Sequence, residues 1–313
     1  MKKKFDFKNK KVFVAGHNGL IGRDICDQLE KYEKCTIIKK SRRELDLFDP
    51  VKTNNFIKKN KPDLIIIAAA KVGGIKANYT YPADFILENL SIQTNIINSS
   101  LKNKIQRLIF LGSSCIYPKI NKIPISEDRL LTDQLEKTNE YYAIAKISGI
   151  KLCEAIYKQH GFKYLSVMPT NLYGINDNFN KETSHVIPGL ISKLHEAKIN
   201  NKKTVKLWGT GKAKRDFLNS KDCARAIIHI AKYYNTNEII NIGSGNEINI
   251  KNLSLLIKKI VGFNGKIIFD KKHPDGTLRK MLDISKLRSL NWVPHIKLEE
   301  GIKEVYENFK INN

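Results

Sequence analysis

One stretch near the amino terminus decides the fold: Lys11-Val12-Phe13-Val14-Ala15-Gly16-His17-Asn18-Gly19-Leu20-Ile21-Gly22. Its first five residues form the apolar run of a buried strand, and apolar residues at helical spacing, Ile21, Ile25 and Leu29, begin at its end. Glycines let the backbone turn tightly and approach a pyrophosphate, which the free amides at the start of a helix then bind. A Gly-x-x-Gly-x-x-Gly pattern between strand and helix therefore predicts a dinucleotide-binding loop over Gly16 to Gly22.

The end of the next predicted strand indicates which dinucleotide is bound. The strand Cys35-Thr36-Ile37-Ile38 runs into Lys39-Lys40-Ser41-Arg42-Arg43. An NAD enzyme usually carries an acidic residue here for the ribose hydroxyls, whereas arginine can fork onto a 2′-phosphate. The basic sequence predicts NADP(H) as the cofactor, with Ser41 and Arg42 among its ligands.

Apolar runs then alternate with helical patterns through the first half of the chain. The predicted strands are Leu64–Ala70, Arg107–Gly112, Tyr164–Met168 and Ile239–Ile242, and the predicted helices are Ala83–Leu101, Tyr142–Gln159, Val186–Ile199 and Asp222–Tyr233. This alternation predicts an α/β fold, with a Rossmann-type doubly wound parallel sheet and a smaller C-terminal α/β substrate domain. We expect an NADP-binding domain at residues 1–174, with a return segment near 215–248, and a mainly nucleotide-sugar substrate domain at 175–313.

Tyr142 and Lys146 lie four residues apart, so on a helix they share one face. A tyrosine with a pKa near 10 is a poor acid, but a neighbouring cation favours the phenolate and brings the proton into play. The same spacing also occurs where both side chains merely lie on the surface. Ser113 upstream strengthens the catalytic interpretation, in which the pair protonates an alkoxide.

Composition limits the remaining possibilities. The 313 residues are 42% hydrophobic and contain no apolar run long enough to cross a bilayer, and the Lys-rich start lacks the apolar block of a signal peptide. We therefore expect a cytoplasmic enzyme without membrane association. The five cysteines lack metal-ligand or paired spacing, which favours reduced thiols and no metal site.

The formal net charge of +24 raises the possibility of nucleic-acid binding. The lysines are scattered, without a basic arm or an aromatic stacking motif, so we expect no specific nucleic-acid partner. A positive field would instead attract anionic substrates such as nucleotide diphosphate sugars. A non-catalytic NADP- or nucleic-acid-binding protein stays an alternative of a different class.

Five further motifs carry a family resemblance. They are Ala68-Ala69-Ala70-Lys71-Val72-Gly73-Gly74-Ile75, Gly112-Ser113-Ser114-Cys115-Ile116-Tyr117-Pro118, Met168-Pro169-Thr170-Asn171-Leu172-Tyr173-Gly174, Ser184-His185-Val186-Ile187-Pro188 and Pro274-Asp275-Gly276-Thr277. With the glycine loop and the Tyr-Lys pair, they resemble the GDP-L-fucose synthase family of extended short-chain dehydrogenases/reductases. Members of that family are 3,5-epimerase/4-reductases of GDP-4-keto-6-deoxymannose, and the resemblance covers nearly the whole chain.

The resemblance implies roles for individual residues in the reduction. NADPH would deliver hydride to the C4 ketone while Tyr142 protonates the oxygen, Ser113 hydrogen-bonds that oxygen, and Lys146 holds the nicotinamide ribose and lowers the tyrosine pKa. The motifs after two strands supply further predicted cofactor contacts: Leu111, Gly112, Ser114, Pro169, Thr170, Asn171 and Leu172.

By the same resemblance, Cys115 and His185 are the base and the acid of the epimerisation. Each has a plainer interpretation, as a small buried residue or a structural histidine, and a reductase could keep both for shape alone. The predicted GDP contacts are Lys193, Trp208, Arg215, Asp275 and Lys280. Relatives commonly dimerise through the helices near 83–101 and 142–159, so we expect a homodimer.

Two departures concern the cofactor and the sugar. Asn18 stands where some members carry arginine, which makes Arg42 more important, and Tyr141 stands where proline is common, near the expected sugar pocket. Close relatives act on GDP-4-keto-heptoses used in bacterial surface polysaccharides. A C4 reductase of a GDP-4-keto-heptose with little or no epimerase activity is therefore the second hypothesis.

Overall fold

Strands and helices alternate through the first half of the chain in a computed structural model that describes residues 3–180, 183–272 and 275–312. In chain order the strands are β1 (Lys11–Ala15), β2 (Thr36–Ile38), β3 (Leu64–Ile67), β4 (Arg107–Leu111), β5 (Lys163–Pro169), β6 (Asn171–Tyr173), β7 (Thr204–Trp208), β8 (Lys214–Asn219), β9 (Ile240–Ile242), β10 (Glu247–Asn249), β11 (Lys266–Asp270) and β12 (Arg279–Lys280). The α-helices are α1 (Leu20–Tyr32), α2 (Pro50–Asn60), α3 (Ile75–Thr80), α4 (Pro82–Lys102), α5 (Glu140–His160), α6 (Val186–Ile199), α7 (Ser220–Tyr233), α8 (Ile250–Val261), α9 (Ser285–Ser289) and α10 (Leu298–Asn312).

The larger sheet has six parallel strands in the order β2-β1-β3-β4-β5-β9. All four residues of β3 are buried, as expected of a parallel strand covered on both faces. Helix α1 packs against α7, whereas α4 packs against both α2 and α5, so the helices form two groups. The predicted Rossmann-type doubly wound α/β fold is confirmed.

Strands β2 and β3 lie on opposite sides of β1, so the strand order reverses at β1 and β3. In open α/β sheets, ligands bind in the crevice outside the carboxyl ends of the strands at such a reversal. The glycine loop follows β1 at this edge. Motifs that carry the family resemblance follow β3, β4 and β5 at the same edge, and those after β4 and β5 contain predicted cofactor contacts.

A second hydrophobic core lies in the C-terminal half, where α6, α8 and α10 surround buried residues that include Ile191, Leu253 and Ile302. The smaller sheets are formed by β11 with β7, and by β8 with β10, β12 and β6. The first core also includes residues of α7, of β9 and of a stretch from Leu282 to Trp292. The chain therefore returns to the first core twice, and sequence reasoning proposed only the earlier return.

Local sequence explains where the site-bearing helices begin and end. Pro82 occupies the first turn of α4, where a missing amide costs little. Helix α5 ends at Gly161, whose φ of 72° is the left-handed conformation that glycine adopts easily. Within the described residues, the helices are too short or too polar to cross a membrane.

Candidate active site

The glycine loop between β1 and α1 is a turn that side chains would block. A Cβ at Gly16, whose φ is +86°, would lie 2.5 Å from the backbone nitrogen of Ala69, and one at Gly22 would lie 2.0 Å from the Gly16 oxygen. Gly19 caps α1 with its N–H donated to the Gly16 oxygen at 3.0 Å. The first amides of α1 thus face a cradle without side chains, which fits a pyrophosphate. His17, Asn18, Leu20 and Ile21 complete the predicted loop.

The end of β2 combines basic residues with one carboxylate. The Ser41 amide and hydroxyl donate to Glu44 at 2.9 and 2.8 Å, and the Lys40 ammonium donates to its other oxygen at 2.8 Å. These hydrogen bonds lower the pKa of Glu44 to about 2, and the one from Lys40 has the largest effect. The exposed Arg42 guanidinium lies 5.0 Å from the ring centroid of Phe48. Ser41 is therefore committed to Glu44, and Arg42 is the side chain better placed for a cofactor phosphate.

Tyr142 lies on the first turns of α5, half-buried between Phe85 and Ser113. Its ring meets that of Phe85 edge-on, with centroids 6.2 Å apart. Burial raises the pKa of Tyr142, and the nearby Cys115 adds to the rise, while an interaction with the Ser113 hydroxyl opposes it. The direction is opposite to the lowering expected from a neighbouring cation, because loss of hydration is the largest cause.

Lys146 lies one turn further along α5 and is 3% exposed. Its ammonium donates to the Leu111 carbonyl at 2.8 Å and lies 5.8 Å from the ring centroid of Tyr142. Burial lowers the pKa of Lys146 to about 7. The lysine is thus held near the phenol and is bonded to the end of β4.

Cys115 follows Ser113 in a short 3-10 helix, Ser114–Ile116, where the Ser113 hydroxyl accepts the Cys115 N–H at 3.2 Å. Arg215, on β8, lies close enough to Cys115 for the two to interact electrostatically. Burial lowers the pKa of Arg215, whereas Cys115, Asp275 and Glu136 act against that shift. The predicted base and the predicted diphosphate ligand therefore share one cleft.

His185 precedes α6, with its side chain 41% exposed. Its Nδ1 is buried and lies 3.7 Å from Oδ1 of Asp177, whose side chain is 4% exposed. Sequence reasoning missed Asp177, because it lies in an irregular segment where spacing carries no structural information.

The loop of residues 71–75 connects the Tyr142 side of the cleft to the His185 side. A Cβ at Gly73 would lie 3.2 Å from the Phe85 ring, and one at Gly74 would lie 2.7 Å from the Ser184 carbonyl oxygen. The Gly74 N–H also donates to the Thr183 oxygen at 3.3 Å. Phe85 in turn packs against Tyr142, so this loop fixes both candidate catalytic segments.

The same loop reaches the nucleotide end of the cleft. A Cβ at Gly276 would lie 3.6 Å from the Ile75 side chain and 3.8 Å from the Arg215 guanidinium.

Asp275 accepts the Thr210 N–H at 2.7 Å and the Thr210 hydroxyl at 2.6 Å, so both of its oxygens are engaged. These hydrogen bonds hold the loop beside Arg215, and the predicted contact of Asp275 with guanine stays a prediction. Pro274, the first residue of this motif, lies outside the described residues.

The remaining predicted GDP contacts differ in exposure. Trp208, at the end of β7, is 58% exposed, which argues against a core role. Lys193 on α6 is exposed, whereas Lys280 is 8% exposed and pairs with Arg215 in the register of β12 and β8.

The strand ends predicted to contact the cofactor form hydrogen bonds to neighbouring strands. Thr170 and Asn171 donate side-chain hydrogen bonds to the Asp216 carbonyl at 3.1 and 2.9 Å. The Gly112 N–H donates to the Val167 oxygen at 2.9 Å, which aligns the ends of β4 and β5. The neighbouring predicted contacts are Leu111, Ser114, Pro169 and Leu172, and Ser114 is 3% exposed.

Glu136 is a second residue that sequence reasoning missed. Its carboxylate accepts a hydrogen bond from the Thr277 hydroxyl at 3.3 Å and lies 3.5 Å from the Lys119 ammonium. Glu136 therefore joins the segment before α5 to the loop before β12, across the cleft beside Arg215. Across the described part of the chain, no three His, Cys, Asp or Glu side chains are grouped to hold a metal.

Comparisons with known proteins agree with this arrangement. The model of the NAD dependent epimerase/dehydratase family matches residues 12–243. GDP-L-fucose synthase 1 of Arabidopsis thaliana is 50% identical over 300 residues, 96% of this chain and 93% of that protein. A GDP-6-OMe-4-keto-L-xylo-heptose reductase from C. jejuni matches with a TM-score of 0.92 and 34% identity, over 97% of this chain and 99% of that one. An NADP-bound GDP-L-fucose synthetase from Naegleria fowleri matches with a TM-score of 0.90 and 28% identity, over 99% and 97% of the two chains.

Proposed function

The chain belongs to the NAD dependent epimerase/dehydratase family and, within it, to the GDP-L-fucose synthases, and from this we propose an NADPH-dependent reductase of a GDP-4-keto-deoxy sugar that also epimerises C3 and C5. One observation carries the proposal. Tyr142 lies beside Ser113 and within electrostatic reach of Cys115, which in turn interacts with Arg215. The residues proposed as proton donor, base and diphosphate ligand are thus neighbours, which supports the proposal.

The reduction uses the residues around Tyr142. Bound NADPH supplies the hydride that reduces the C4 ketone. Tyr142 donates its phenolic proton to the C4 oxygen, and the Ser113 hydroxyl donates a hydrogen bond to the same atom. The raised pKa of Tyr142 keeps the phenol protonated until negative charge develops on that oxygen. Lys146 would hold the ribose hydroxyls of the bound cofactor.

The epimerisation uses the acidity that the C4 ketone confers on C3 and C5. The Cys115 thiolate removes the proton from one of these carbons, which leaves an enolate. His185 donates a proton to the same carbon from the opposite face, and the configuration inverts. The cysteine gains one proton and the histidine loses one, and exchange with water restores both before the next carbon reacts.

The nucleotide binds beyond the sugar in this proposal. Arg215 contacts the diphosphate, Trp208 forms a wall for the guanine, and Lys193 and Lys280 add positive charge. Residues 1–174 with the return near 215–248 hold the cofactor, while residues 175–313 hold most of the GDP-sugar. Glycine-loop amides, Arg42 and the strand ends after β4 and β5 form the cofactor site.

The second hypothesis is a C4 reductase of a GDP-4-keto-heptose. A solved heptose reductase matches almost the whole chain with a TM-score of 0.92, which supports it. The more similar curated relative, at 50% identity, is a fucose synthase, and Cys115 and His185 are both present. We therefore place the epimerase-reductase first.

Deuterium labelling separates the two hypotheses. Purified protein with NADPH is offered GDP-4-keto-6-deoxymannose or a GDP-4-keto-heptose in deuterated water. We expect NADPH oxidation with the deoxymannose sugar and deuterium at C3 and C5 of the product. Turnover of the heptose without deuterium at these carbons would favour the second hypothesis.

The surface of α4 and α5 supports a homodimer. Exposed positions at helical spacing include several uncharged side chains, beside the charged Asp84 and Lys151; the uncharged ones are Ala83, Leu87, Thr94 and Asn98 on α4, and Tyr141, Ile144, Ser148 and Ala155 on α5. Exposed large apolar side chains such as Leu87 and Ile144 on two packed helices support a surface covered by a second copy. The proposal also includes a cytoplasmic location and no specific nucleic-acid partner.

A further inference from the structure

Asp177 and His185 form a pair behind the candidate acid. Asp177 lies just after β6, with its N–H donated to the Gly174 oxygen at 3.2 Å, and its Oδ1 accepts the Asn178 N–H at 2.8 Å. This same Oδ1 lies 3.7 Å from Nδ1 of His185. The carboxylate is therefore fixed by the backbone of its own turn and is directed at the imidazole.

Burial makes this contact more than a surface ion pair. The Asp177 side chain is 4% exposed, and among the described residues its Oδ2 has no hydrogen-bond partner. Buried carboxylates are costly unless a donor or a cation satisfies them. His185 Nδ1 is likewise buried and has no hydrogen bond to any residue that the structure describes, so each group can supply what the other lacks. Catalytic contacts of this kind often tighten when substrate binds.

The burial of Nδ1 also indicates which ring nitrogen a substrate can reach. His185 is 41% exposed as a side chain although its Nδ1 is buried, which leaves Nε2 as the ring nitrogen available to a substrate. A hydrogen bond from Nδ1–H to a carboxylate fixes the tautomer and the ring orientation. The Asn178 side chain donates to the Thr183 hydroxyl at 2.8 Å, which holds the two ends of the intervening segment together.

We infer that Asp177 is a positioning residue for the epimerisation, which orients His185 so that Nε2 delivers the proton to C3 or C5. The inference rests on the proposed function, because it requires His185 to be the acid. When the Nε2 proton leaves, the imidazole stays neutral with Nδ1–H bonded to Asp177. Asp177 itself neither gains nor loses a proton.

The test measures epimerisation and reduction separately in Asp177→Asn, which keeps the shape of the side chain and removes its charge. GDP-4-keto-6-deoxymannose is incubated in deuterated water without NADPH, and deuterium at C3 and C5 is followed by mass spectrometry. We expect the kcat for exchange to fall by roughly 10²-fold with KM changed less than about threefold, as for loss of general-acid catalysis. NADPH affinity, measured by fluorescence, should stay unchanged.

Two further variants distinguish positioning from folding. In a His185→Gln background, Asp177→Asn should lower the rate of deuterium exchange little further, because the aspartate acts through the histidine. Asn178→Ala removes the side-chain hydrogen bond to Thr183 but leaves Asp177 and His185 unchanged. It should therefore keep most of the deuterium exchange. An Asn178→Ala loss as large as that of Asp177→Asn would overturn the inference and assign the effect to the loop.

The remaining outcomes separate this inference from the proposed function. Full exchange in Asp177→Asn, with wild-type exchange present, overturns the role of Asp177 alone. Wild-type NADPH oxidation without any exchange overturns the epimerase part of the proposed function, and the role of Asp177 with it. Additive losses in the double variant would show that Asp177 acts independently of His185.

Discussion

The Lys146 ammonium donates a hydrogen bond to the Leu111 carbonyl, 2.8 Å away, at a site that is almost free of solvent. A buried lysine whose pKa is lowered to about 7 destabilises the folded protein below that pH, because the ammonium is then charged without hydration. Its carbonyl partner offsets only part of this cost.

We expect Lys146→Met to raise thermal stability in the absence of added cofactor. The folded pKa lies below the unfolded value of 10.5, so the cost is full below about pH 7 and disappears as pH rises towards 10.5. A difference of one pH unit between the folded and the unfolded pKa corresponds to about 1.4 kcal/mol, which makes a gain of a few kcal/mol the upper limit. Calorimetry from pH 6 to 10 should show a shrinking difference in Tm, whereas the exposed Lys151→Met should change nothing. An equal Tm at every pH would contradict the burial argument.

Tyr142→Phe should remove the proton donor and leave the cofactor site intact. We expect turnover to fall by about 10²-fold or more, the range for general acids, while the Kd for NADPH stays within twofold. Stopped-flow reduction and fluorescence titration measure the two quantities. Tyr141→Phe, one residue earlier and 49% exposed, is the matched control and should keep activity. Unchanged turnover in Tyr142→Phe would remove this residue from the mechanism.

Arg42→Ala should weaken NADPH binding by at least about tenfold and leave NADH binding nearly unchanged. The reason is that an arginine at the end of β2 contacts only the 2′-phosphate, which NADH lacks. The comparison of both cofactors by titration makes the effect specific. Arg43→Ala, at the adjacent exposed position, should have a smaller effect. Equal losses for both cofactors would assign Arg42 a structural role instead.

Gly74→Ala should impair catalysis more than stability. The new Cβ would lie 2.7 Å from the Ser184 carbonyl, so the segment that carries His185 must move. We expect deuterium exchange at C3 and C5 to fall by tenfold or more, because small displacements of catalytic groups are costly. Gly161→Ala meets no atom within 4 Å but is strained at a φ of +72°, so it should lower Tm and spare activity. Equal activities in the two variants would contradict the predicted movement.

The proposed dimer is tested by adding a charge to the exposed surface of α4. Leu87→Glu on α4 places a carboxylate at a 62% exposed position that a partner would bury, and light scattering should then report the mass of a monomer. Val51→Glu, on α2 and 65% exposed, should leave the dimer intact. A monomeric wild-type protein would contradict the proposal directly.

Periodicity predicted the elements that carry the site with good accuracy. The helix expected over Val186–Ile199 has these bounds, and α5 begins two residues before and ends one residue after the expected Tyr142–Gln159. The strand expected over Leu64–Ala70 ends at Ile67 instead. The next residue, Ala68, still donates its N–H to the Ala15 oxygen, so the apolar run continues past the strand into the cleft.

Electrostatics and loop contacts were predicted less well, because they depend on residues distant in sequence. The rise in the Tyr142 pKa comes from burial under Phe85 and neighbours that no pattern reveals. Asp275 looks like a ligand by motif, yet Thr210, 65 residues away, occupies its carboxylate. Asp177 and Glu136 were missed because each lies in an irregular segment, where spacing carries no structural information.

The loop of residues 71–75 has a practical consequence for redesign. This loop packs against the Phe85 ring, which contacts Tyr142, and against the segment before His185. Both half-reactions therefore depend on one short stretch of backbone. An engineer who seeks a new sugar specificity should leave this stretch untouched and vary Tyr141 and its surroundings, since an insertion at 71–75 would degrade two chemistries at once.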